Sequence, residues 1–276
     1  MISFPNAKIN LGLYITDLRP DGYHNLETIF YPIRLEDALE VIPSSQAKGI
    51  YTYHGYGNEV AGSIEQNLVV KAYQLLHSDF ELPSVDIYLY KHIPLGSGLG
   101  GGSADAAFML CLLNELFELN LSDADLSSFA VRLGADCPFF LLNKPAFAQG
   151  IGEILTPIPL TLDDYQILVV KPDIFVSTKE AFAHVPMHKP EHILTDIAHV
   201  PVSEWKTILY NDFEKSVFPQ HAELAQIKAE LYQQGALYAS MSGSGSAVYG
   251  IFGKDKLLDL SPFKKMFCYL SPPIRR

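Results

Sequence analysis

Cysteine is scarce in this chain of 276 residues, which contains only Cys111, Cys137 and Cys268. Their wide spacing matches neither a disulfide framework nor a metal-binding pattern, so we predict buried, reduced thiols. Long apolar runs are also missing, because no stretch reaches about 18 uninterrupted apolar residues, the length of a membrane-spanning helix. The first residues show no basic segment ahead of an apolar run and no clear cleavage site, which disfavours a signal peptide. The expected location is therefore the cytoplasm.

Basic residues are fewer than acidic ones, with 20 Lys and Arg against 31 Asp and Glu and a formal net charge of −11. This excess of negative charge disfavours binding to nucleic acid, which is also negatively charged. We also predict no membrane partner, and the sequence shows no protein partner. An anionic ligand would have to be held by local lysines and backbone N–H groups against the overall negative charge.

The hydrophobic pattern mixes strands and helices along the whole chain. In the first hundred residues it predicts strands at 1–15, 26–41 and 85–93 and a helix at 67–78 with Asn67 as its N-cap. The second strand has a possible turn at 35–37. Further along the chain, the sequence predicts a helix that a capping box at 122–125 opens and Gly134 ends. It also predicts a strand at 165–172, a helix at about 218–234 and a strand after the glycine run 242–246.

The run GSGLGGGS at 96–103 has five glycines and stands between a predicted strand and a predicted helix. Bare backbone there can turn its N–H groups inward, and the helix N-terminus adds partial positive charge, so the loop suits an anion. Gly96, Gly98 and Gly101 fit the dinucleotide fingerprint, but the acidic residues about 20 positions later lie at a helix start, not at a strand end. A P-loop needs a lysine where Gly102 stands.

Six segments, in order along the chain, carry a more specific match: PNAKINL at 5–11, DGYH at 21–24, PLGSGLGGGSADAA at 94–107, LGADCPFF at 133–140, PAFAQGIGE at 145–153 and MSGSGS at 241–246. Together they resemble the GHMP kinases. DGYH resembles the branch of that superfamily that acts on a cytidine-diphosphate sugar alcohol in isoprenoid biosynthesis. Ala104-Asp105 departs from the more usual Ser-Ser-Asn, and region 182–210 matches poorly.

The resemblance implies an α+β protein with the two-domain GHMP kinase fold. It implies a ribosomal-S5-like N-terminal domain at 1–150, which carries the phosphate-binding glycine loop, and a ferredoxin-like C-terminal domain at 151–276. The implied reaction is phosphorylation of a hydroxyl group of the cytidine-diphosphate sugar alcohol by ATP with Mg²⁺. The expected partners are these two small molecules.

The resemblance also implies catalytic roles for Asp136 and Lys8. Asp136 would accept the hydroxyl proton and contact substrate, although an aspartate before Cys137-Pro138 is also a good helix N-cap. Lys8 would keep that carboxylate ionised and stabilise charge on the transferring phosphoryl group. The alternative for Lys8 is a surface lysine with an extended stem. Asn10, two residues on, would share its strand face and contact substrate.

The other predicted contacts divide between the two substrates. Tyr23 and His24 are expected to stack on cytosine and hydrogen-bond its edge, the alternative being an ordinary loop. Gly243 and Ser244 are expected in a second glycine loop on the substrate side, the alternative being a linker. For ATP, the predicted contacts are Pro94, Gly96, Ser97, Gly98, Leu99, Gly100, Gly101, Gly102 and Ser103, with Asn67 and Lys91 near the adenine. Asn67 could be only an N-cap and Lys91 merely exposed. Ser103 could ligate magnesium, cap the helix, or do both.

Three other functions stay open on the sequence alone. One is a homoserine-type or mevalonate-type GHMP kinase, from which the DGYH segment distinguishes this sequence. An inactive nucleotide-binding module is disfavoured by the presence of Lys8, Asp136 and both glycine runs. An NAD-dependent dehydrogenase would use the fingerprint at 96–101.

Overall fold

The computed structural model describes residues 1–47, 49–58, 62–183, 185, 187 and 193–271. They form two compact units of mixed helix and sheet. The first unit contains residues 1–7, 34–95 and 100–144. The second contains residues 8–33 and 96–99 and the described residues from Pro145 onward.

The described strands are β1 (Ile2–Ser3), β2 (Asn6–Leu18), β3 (His24–Glu36), β4 (Ala38–Pro43), β5 (Tyr51–Gly57), β6 (Val85–Lys91), β7 (Ala146–Gln149), β8 (Ile154–Pro157), β9 (Tyr165–Lys171), β10 (Tyr238–Met241), β11 (Val248–Gly253) and β12 (Phe267–Ser271). The α-helices are α1 (Leu68–Phe80), α2 (Gly101–Leu116), α3 (Asp123–Leu133), α4 (Cys137–Leu142), α5 (Thr178–Phe182), α6 (Trp205–Ile208), α7 (Phe213–Val217) and α8 (Ala222–Gln233). Short 3₁₀ helices are Ile64–Gln66, Leu194–His199, Val202–Glu204 and Ser261–Phe263.

The first unit is built on a four-stranded sheet with the order β1-β4-β6-β5. The β5–β6 pair is parallel, and the other two pairs are antiparallel. Val85, Ile87 and Leu89 of β6 alternate with more exposed residues, so one face of the sheet is apolar. That face forms a hydrophobic core with residues of α1 and α2, including Tyr73 and Leu110.

The second unit contains the antiparallel sheet β10-β11-β9-β12, and a further sheet has the order β2-β3-β7-β8. Leu168 and Val170 of β9 form a core with Val248 of β11 and with Leu224 and Leu231 of α8. Because β2 and β3 pair within the sheet that includes β7 and β8, residues 8–33 group with residues distant in sequence. The compact units therefore differ from a division at residue 150, which stays a prediction about the family domains.

Most predicted elements are present. The long second strand is broken at Asp37, between β3 and β4, as predicted. The capping box at Ser122 and Asp125 opens α3, which Gly134 ends. The helix predicted at 218–234 begins only at Ala222, after the separate helix α7. Pro219 lies between the two helices and has no amide hydrogen to continue the ladder.

The cysteine prediction is correct for Cys137, which is buried, and wrong for Cys111, which is exposed. Cys111 lies on the outer face of α2, where residues 108, 111 and 115 follow helical spacing and are not buried. Cys268 is half-buried, and all three cysteines are free thiols. None of the helices in the described ranges has the length and apolar character to cross a membrane. A location in the cytoplasm stays a prediction.

Candidate active site

The first glycine run connects β6 to α2, so the predicted strand–loop–helix arrangement is confirmed. Gly96, Gly98 and Gly100 have φ values of +56°, +74° and +74°. These left-handed conformations favour glycine because a side chain would be strained there. Gly100 is the N-cap of α2, so the backbone N–H groups at the start of that helix follow directly on the loop.

The second glycine run lies against the first part of this loop, within the second unit. The amides of Ser246 and Ala247 donate to the carbonyl oxygens of Gly96 and Ser97, at 3.3 and 3.0 Å. The Ser242 hydroxyl donates to the Gly98 carbonyl oxygen at 2.9 Å. The run is therefore a packed loop between β10 and β11, and the linker alternative is wrong. Substrate contacts of Gly243 and Ser244 stay a prediction.

Gly98→Ala should destabilise the protein by at least about 2 kcal/mol. A Cβ at this position would lie 1.9 Å from the Ser242 carbonyl oxygen, and the backbone is left-handed. Gly102→Ala is a matched control, since its Cβ would meet Leu68 Cδ1 at an ordinary 3.6 Å and alanine favours the helix. Urea unfolding of both variants tests this expectation, and equal stabilities would contradict it.

Lys8 is buried, with 3% of its surface exposed, so the surface-lysine alternative is wrong. Its ammonium donates to Asn10 Oδ1 at 2.7 Å and lies 4.7 Å from the centre of the Phe30 ring. The predicted sharing of one strand face by Lys8 and Asn10 is thus confirmed. The Lys8 amide donates to the Leu99 carbonyl oxygen at 2.9 Å, which ties β2 to the glycine loop.

Asn10 links β2 to the second glycine run. Its backbone N–H donates to Ser242 Oγ at 3.3 Å, and its backbone carbonyl oxygen accepts from the Tyr249 hydroxyl at 2.7 Å. Its side chain donates to Thr28 Oγ1 at 3.0 Å. Lys8 and Asn10 are therefore held beside both glycine runs within the second unit.

Asp136 is half-buried at the start of α4, in the first unit. Its backbone is helical, with φ −81° and ψ −15°, and its side chain makes no capping hydrogen bond to α4. An N-cap normally has an extended backbone and a side chain that accepts such a bond. The cap-only alternative therefore has no support in the geometry. The predicted pairing of Asp136 with Lys8 stays a prediction.

Ser103 is the third residue of α2, and the N-cap is Gly100, so the prediction that Ser103 caps the helix is wrong. The helix begins three residues earlier than a cap at Ser103 would place it, and its N-cap Gly100 has the left-handed conformation that glycine tolerates. Burial raises the pKa of the Cys137 thiol to about 12, although a hydrogen bond with Ser103 lowers it. Ser103 thus lies next to the first residue of α4.

A role for Ser103 in binding magnesium stays a prediction. In the described part of the chain, no group of three or more His, Cys, Asp or Glu residues could hold a metal ion. Mg²⁺ is commonly bound by one or two protein oxygens together with substrate phosphates. The Ser103 hydroxyl fits that sparse donor set.

A buried ion triad lies between the strand before the glycine loop and the helix after it. The Lys91 ammonium contacts the carboxylates of Asp37 and Asp105, the latter at 2.6 Å, and all three residues are buried. The Asp37 carboxylate also accepts from the amides of His92 and Ile93, at 2.5 and 2.8 Å. The alternative that Lys91 is merely exposed is wrong, and its role toward adenine stays a prediction.

Burial and the opposite charge of the ion-pair partner act against each other on the pKa of two members of this triad, Asp105 and Lys91. Burial raises the pKa of Asp105 to about 8, against the opposing effect of the Lys91 ammonium. For Lys91, burial lowers the pKa, but Asp105 and Asp37 outweigh it, so the net direction is upward. Sequence reasoning missed Asp37 and Asp105, although Asp105 was visible as a departure from the family pattern.

Asn67 is the N-cap of α1, as predicted, and its side-chain oxygen accepts from the Val69 amide at 3.0 Å. Its amide group donates to the Tyr53 hydroxyl, also at 3.0 Å. A contact between Asn67 and adenine stays a prediction.

Tyr23 and His24 follow a turn that Arg19 and Asp21 stabilise by an ion pair of 2.9 Å. The Tyr23 side chain is exposed. The His24 ring stacks on Phe182, with ring centres 4.7 Å apart and planes 23° from parallel. Phe182 was missed because it begins the stretch that matched the family poorly. An exposed tyrosine next to a stacked aromatic pair can offer flat surfaces to a base.

Comparison with protein families shows two matches. The model of the GHMP kinases N terminal domain matches residues 67–144, and the model of the GHMP kinases C terminal region matches residues 199–260. The first match contains Asn67, Lys91, the glycine loop and Asp136. The second contains the glycine run at 242–246.

Curated and solved proteins resemble the chain over nearly its whole length. The 4-diphosphocytidyl-2-C-methyl-D-erythritol kinase of Bacteroides thetaiotaomicron is 60% identical over 270 residues, covering 98% of both chains. The enzyme of the same name from Bacteroides fragilis is 59% identical over 269 residues, with the same coverage. A crystal structure of 4-(cytidine 5'-diphospho)-2C-methyl-D-erythritol kinase matches with a TM-score of 0.83 and 32% identity, covering 98% of each chain.

Proposed function

The chain belongs to the 4-diphosphocytidyl-2-C-methyl-D-erythritol kinase family of the GHMP kinases, and we propose that it transfers the γ-phosphoryl group of ATP to the 2-hydroxyl of 4-diphosphocytidyl-2-C-methyl-D-erythritol. The products are the 2-phosphate of that substrate and ADP. The reaction is a step of isoprenoid synthesis. The near-full-length identity to kinases of this name carries the proposal. The predicted α+β class and two-domain GHMP kinase fold are confirmed.

ATP is bound in this proposal by the glycine loop. The left-handed glycines leave the backbone bare, so phosphate oxygens can approach the N–H groups closely. The N-terminus of α2 follows the loop and adds its partial positive charge. Asn67 and Lys91 stand on the adenine side. No P-loop lysine is needed, because the charge is shared between backbone, helix and separate cations.

Phosphoryl transfer requires positioning and charge stabilisation more than covalent chemistry. Asp136 accepts the proton of the 2-hydroxyl as the new P–O bond forms. Lys8, held beside the glycine loop by Asn10, stabilises the negative charge that develops on the transferring group. The Ser103 hydroxyl would help to hold Mg²⁺, which would supply positive charge to offset that of the triphosphate.

Cytosine is recognised in this proposal by the aromatic residues around β3. Tyr23 is free to offer its ring face, because it is 61% exposed. His24 can hydrogen-bond the edge of the base while Phe182 supports its ring. The stacked pair of His24 and Phe182 therefore favours binding of a flat, partly polar ligand such as a pyrimidine.

We expect His24→Ala to raise KM for the cytidine substrate by about tenfold, since the lost hydrogen bond to the base edge contributes about 0.5–1.5 kcal/mol. KM for ATP should stay within twofold of the wild type. His54→Ala is the matched control, because His54 also stacks on an aromatic ring, Tyr88, at 4.5 Å, but lies in the first unit. An unchanged KM for the cytidine substrate in His24→Ala would contradict this assignment.

Turnover of competing alcohols tests the proposed function. ADP release should be measured with Mg-ATP and the cytidine substrate, mevalonate or homoserine, each at the same concentration. The proposal expects turnover with the cytidine substrate and little with the others. Better turnover of mevalonate or homoserine would keep the family and overturn the substrate, whereas ATP binding without turnover would support an inactive nucleotide-binding protein.

A further inference from the structure

The short helix α5 carries Phe182, the residue that stacks on His24. It has only five residues, and an isolated helix of that length is unstable in water. Its position must therefore be set by contacts with the rest of the second unit. Those contacts decide where the Phe182 ring lies.

Three contacts fix the backbone and the apolar side of α5. The Ser177 hydroxyl caps the helix by accepting from the Glu180 amide at 3.1 Å. The Ser216 hydroxyl donates to the Ala181 carbonyl oxygen at 2.6 Å. The ring of Phe182 packs edge-on against Phe213, with centres 4.7 Å apart. Ser216 and Phe213 both belong to α7.

A fourth contact holds the polar side of the helix. His221 Nε2 lies 2.7 Å from Glu180 Oε1, with side chains 23% and 29% exposed. His221 directly precedes α8, which packs in the core of the second unit through Leu224 and Leu231. The pair thus connects a short helix to a firmly packed one. Glu180 is two residues from Phe182, so any rotation of α5 moves both side chains.

We propose that Glu180 and His221 are positioning residues for cytosine binding, which act by fixing α5 so that Phe182 meets His24. The inference rests on the proposed function and deepens it, since it names residues that set substrate specificity through Phe182. Neither residue is required to touch the base. The ion pair acts only by holding the Phe182 ring in place.

A double-mutant cycle between His221 and Phe182 tests this proposal. We expect His221→Ala to raise KM for the cytidine substrate by about fivefold, with KM for ATP and kcat unchanged. Phe182→Ala should have a larger effect, close to the roughly tenfold rise expected for His24→Ala, because it removes the ring that supports His24. The double variant should be no worse than Phe182→Ala, because His221 acts only through that ring.

Conservative variants separate positioning from general damage. Glu180→Gln keeps an oxygen that can accept from His221 and should stay near the wild type, whereas Glu180→Ala should match His221→Ala. His199→Ala, at an exposed histidine in the same unit, should leave KM for both substrates unchanged. Thermal unfolding of each variant shows whether the protein remains folded.

Two results would overturn the inference. The effects of His221→Ala and Phe182→Ala could multiply in the double variant, which would show that they act independently. KM for ATP could rise in parallel with KM for the cytidine substrate, which would indicate a general loss of structure. If the wild type turned over another alcohol but not the cytidine substrate, the proposed function and this inference would both fall.

Discussion

Replacing Asp136 by asparagine should lower kcat by about 10²- to 10⁴-fold, the usual contribution of a positioned general base. Asparagine keeps the size of the side chain but cannot accept the hydroxyl proton. Asp136 makes no capping hydrogen bond to α4, so the substitution removes no cap from that helix. The loss need not be complete, because positioning and charge stabilisation by other groups remain.

The measurement is kcat from ADP release at saturating ATP and cytidine substrate, with thermal unfolding as a check on folding. Asp123→Asn is the matched control, since it removes a carboxylate from the exposed first turn of the neighbouring helix α3. That variant should keep kcat within about twofold of the wild type. A kcat for Asp136→Asn as high as the control would remove Asp136 from the catalytic machinery.

Replacing Asp37 by alanine should destabilise the protein by about 3–5 kcal/mol, because it breaks a buried charge cluster by deleting one partner. The Lys91 ammonium would keep only Asp105 as an ion-pair partner, and burial raises the pKa of that carboxyl group. The amides of His92 and Ile93 would also lose their shared acceptor. Since these residues lead directly into the glycine loop, affinity for ATP should fall as well.

Urea unfolding of Asp37→Ala measures the change in the free energy of unfolding. Asp79→Ala, at an exposed position near the end of α1, should change that free energy by less than about 0.5 kcal/mol. The loss of unfolding free energy for Asp105→Asn should lie between the losses for Asp37→Ala and Asp79→Ala, because asparagine still offers Lys91 an acceptor. A loss below about 1 kcal/mol for Asp37→Ala would show that the triad contributes little to stability.

Local features of the site were predictable from the sequence. The glycine loop was predictable because a run of glycines marks a backbone without side-chain constraints. The strand before it and the helix after it were predictable from the spacing of hydrophobic residues. The Asn67 cap and the capping box at Ser122 are equally local, since each involves residues within three positions. The shared strand face of Lys8 and Asn10 follows from the two-residue period of a strand.

Features that depend on long-range contacts were not predictable in this way. Asp37 and Asp105 reach Lys91 across 54 and 14 positions of the chain, and no periodicity signals that meeting. Phe182 and His24 meet through packing of a short helix that matched the family poorly. Residues 8–33 join the second unit because sheet pairing, not sequence order, decides which strands are neighbours.

The position of the transferred phosphate tests the proposed reaction most directly. After incubation of the wild-type protein with Mg-ATP and 4-diphosphocytidyl-2-C-methyl-D-erythritol, phosphorus NMR of the product should show one new phosphomonoester on the 2-hydroxyl, an intact diphosphate, and ADP in equal amount. Free inorganic phosphate without a new phosphomonoester, or a phosphate on another hydroxyl, would contradict the proposed reaction.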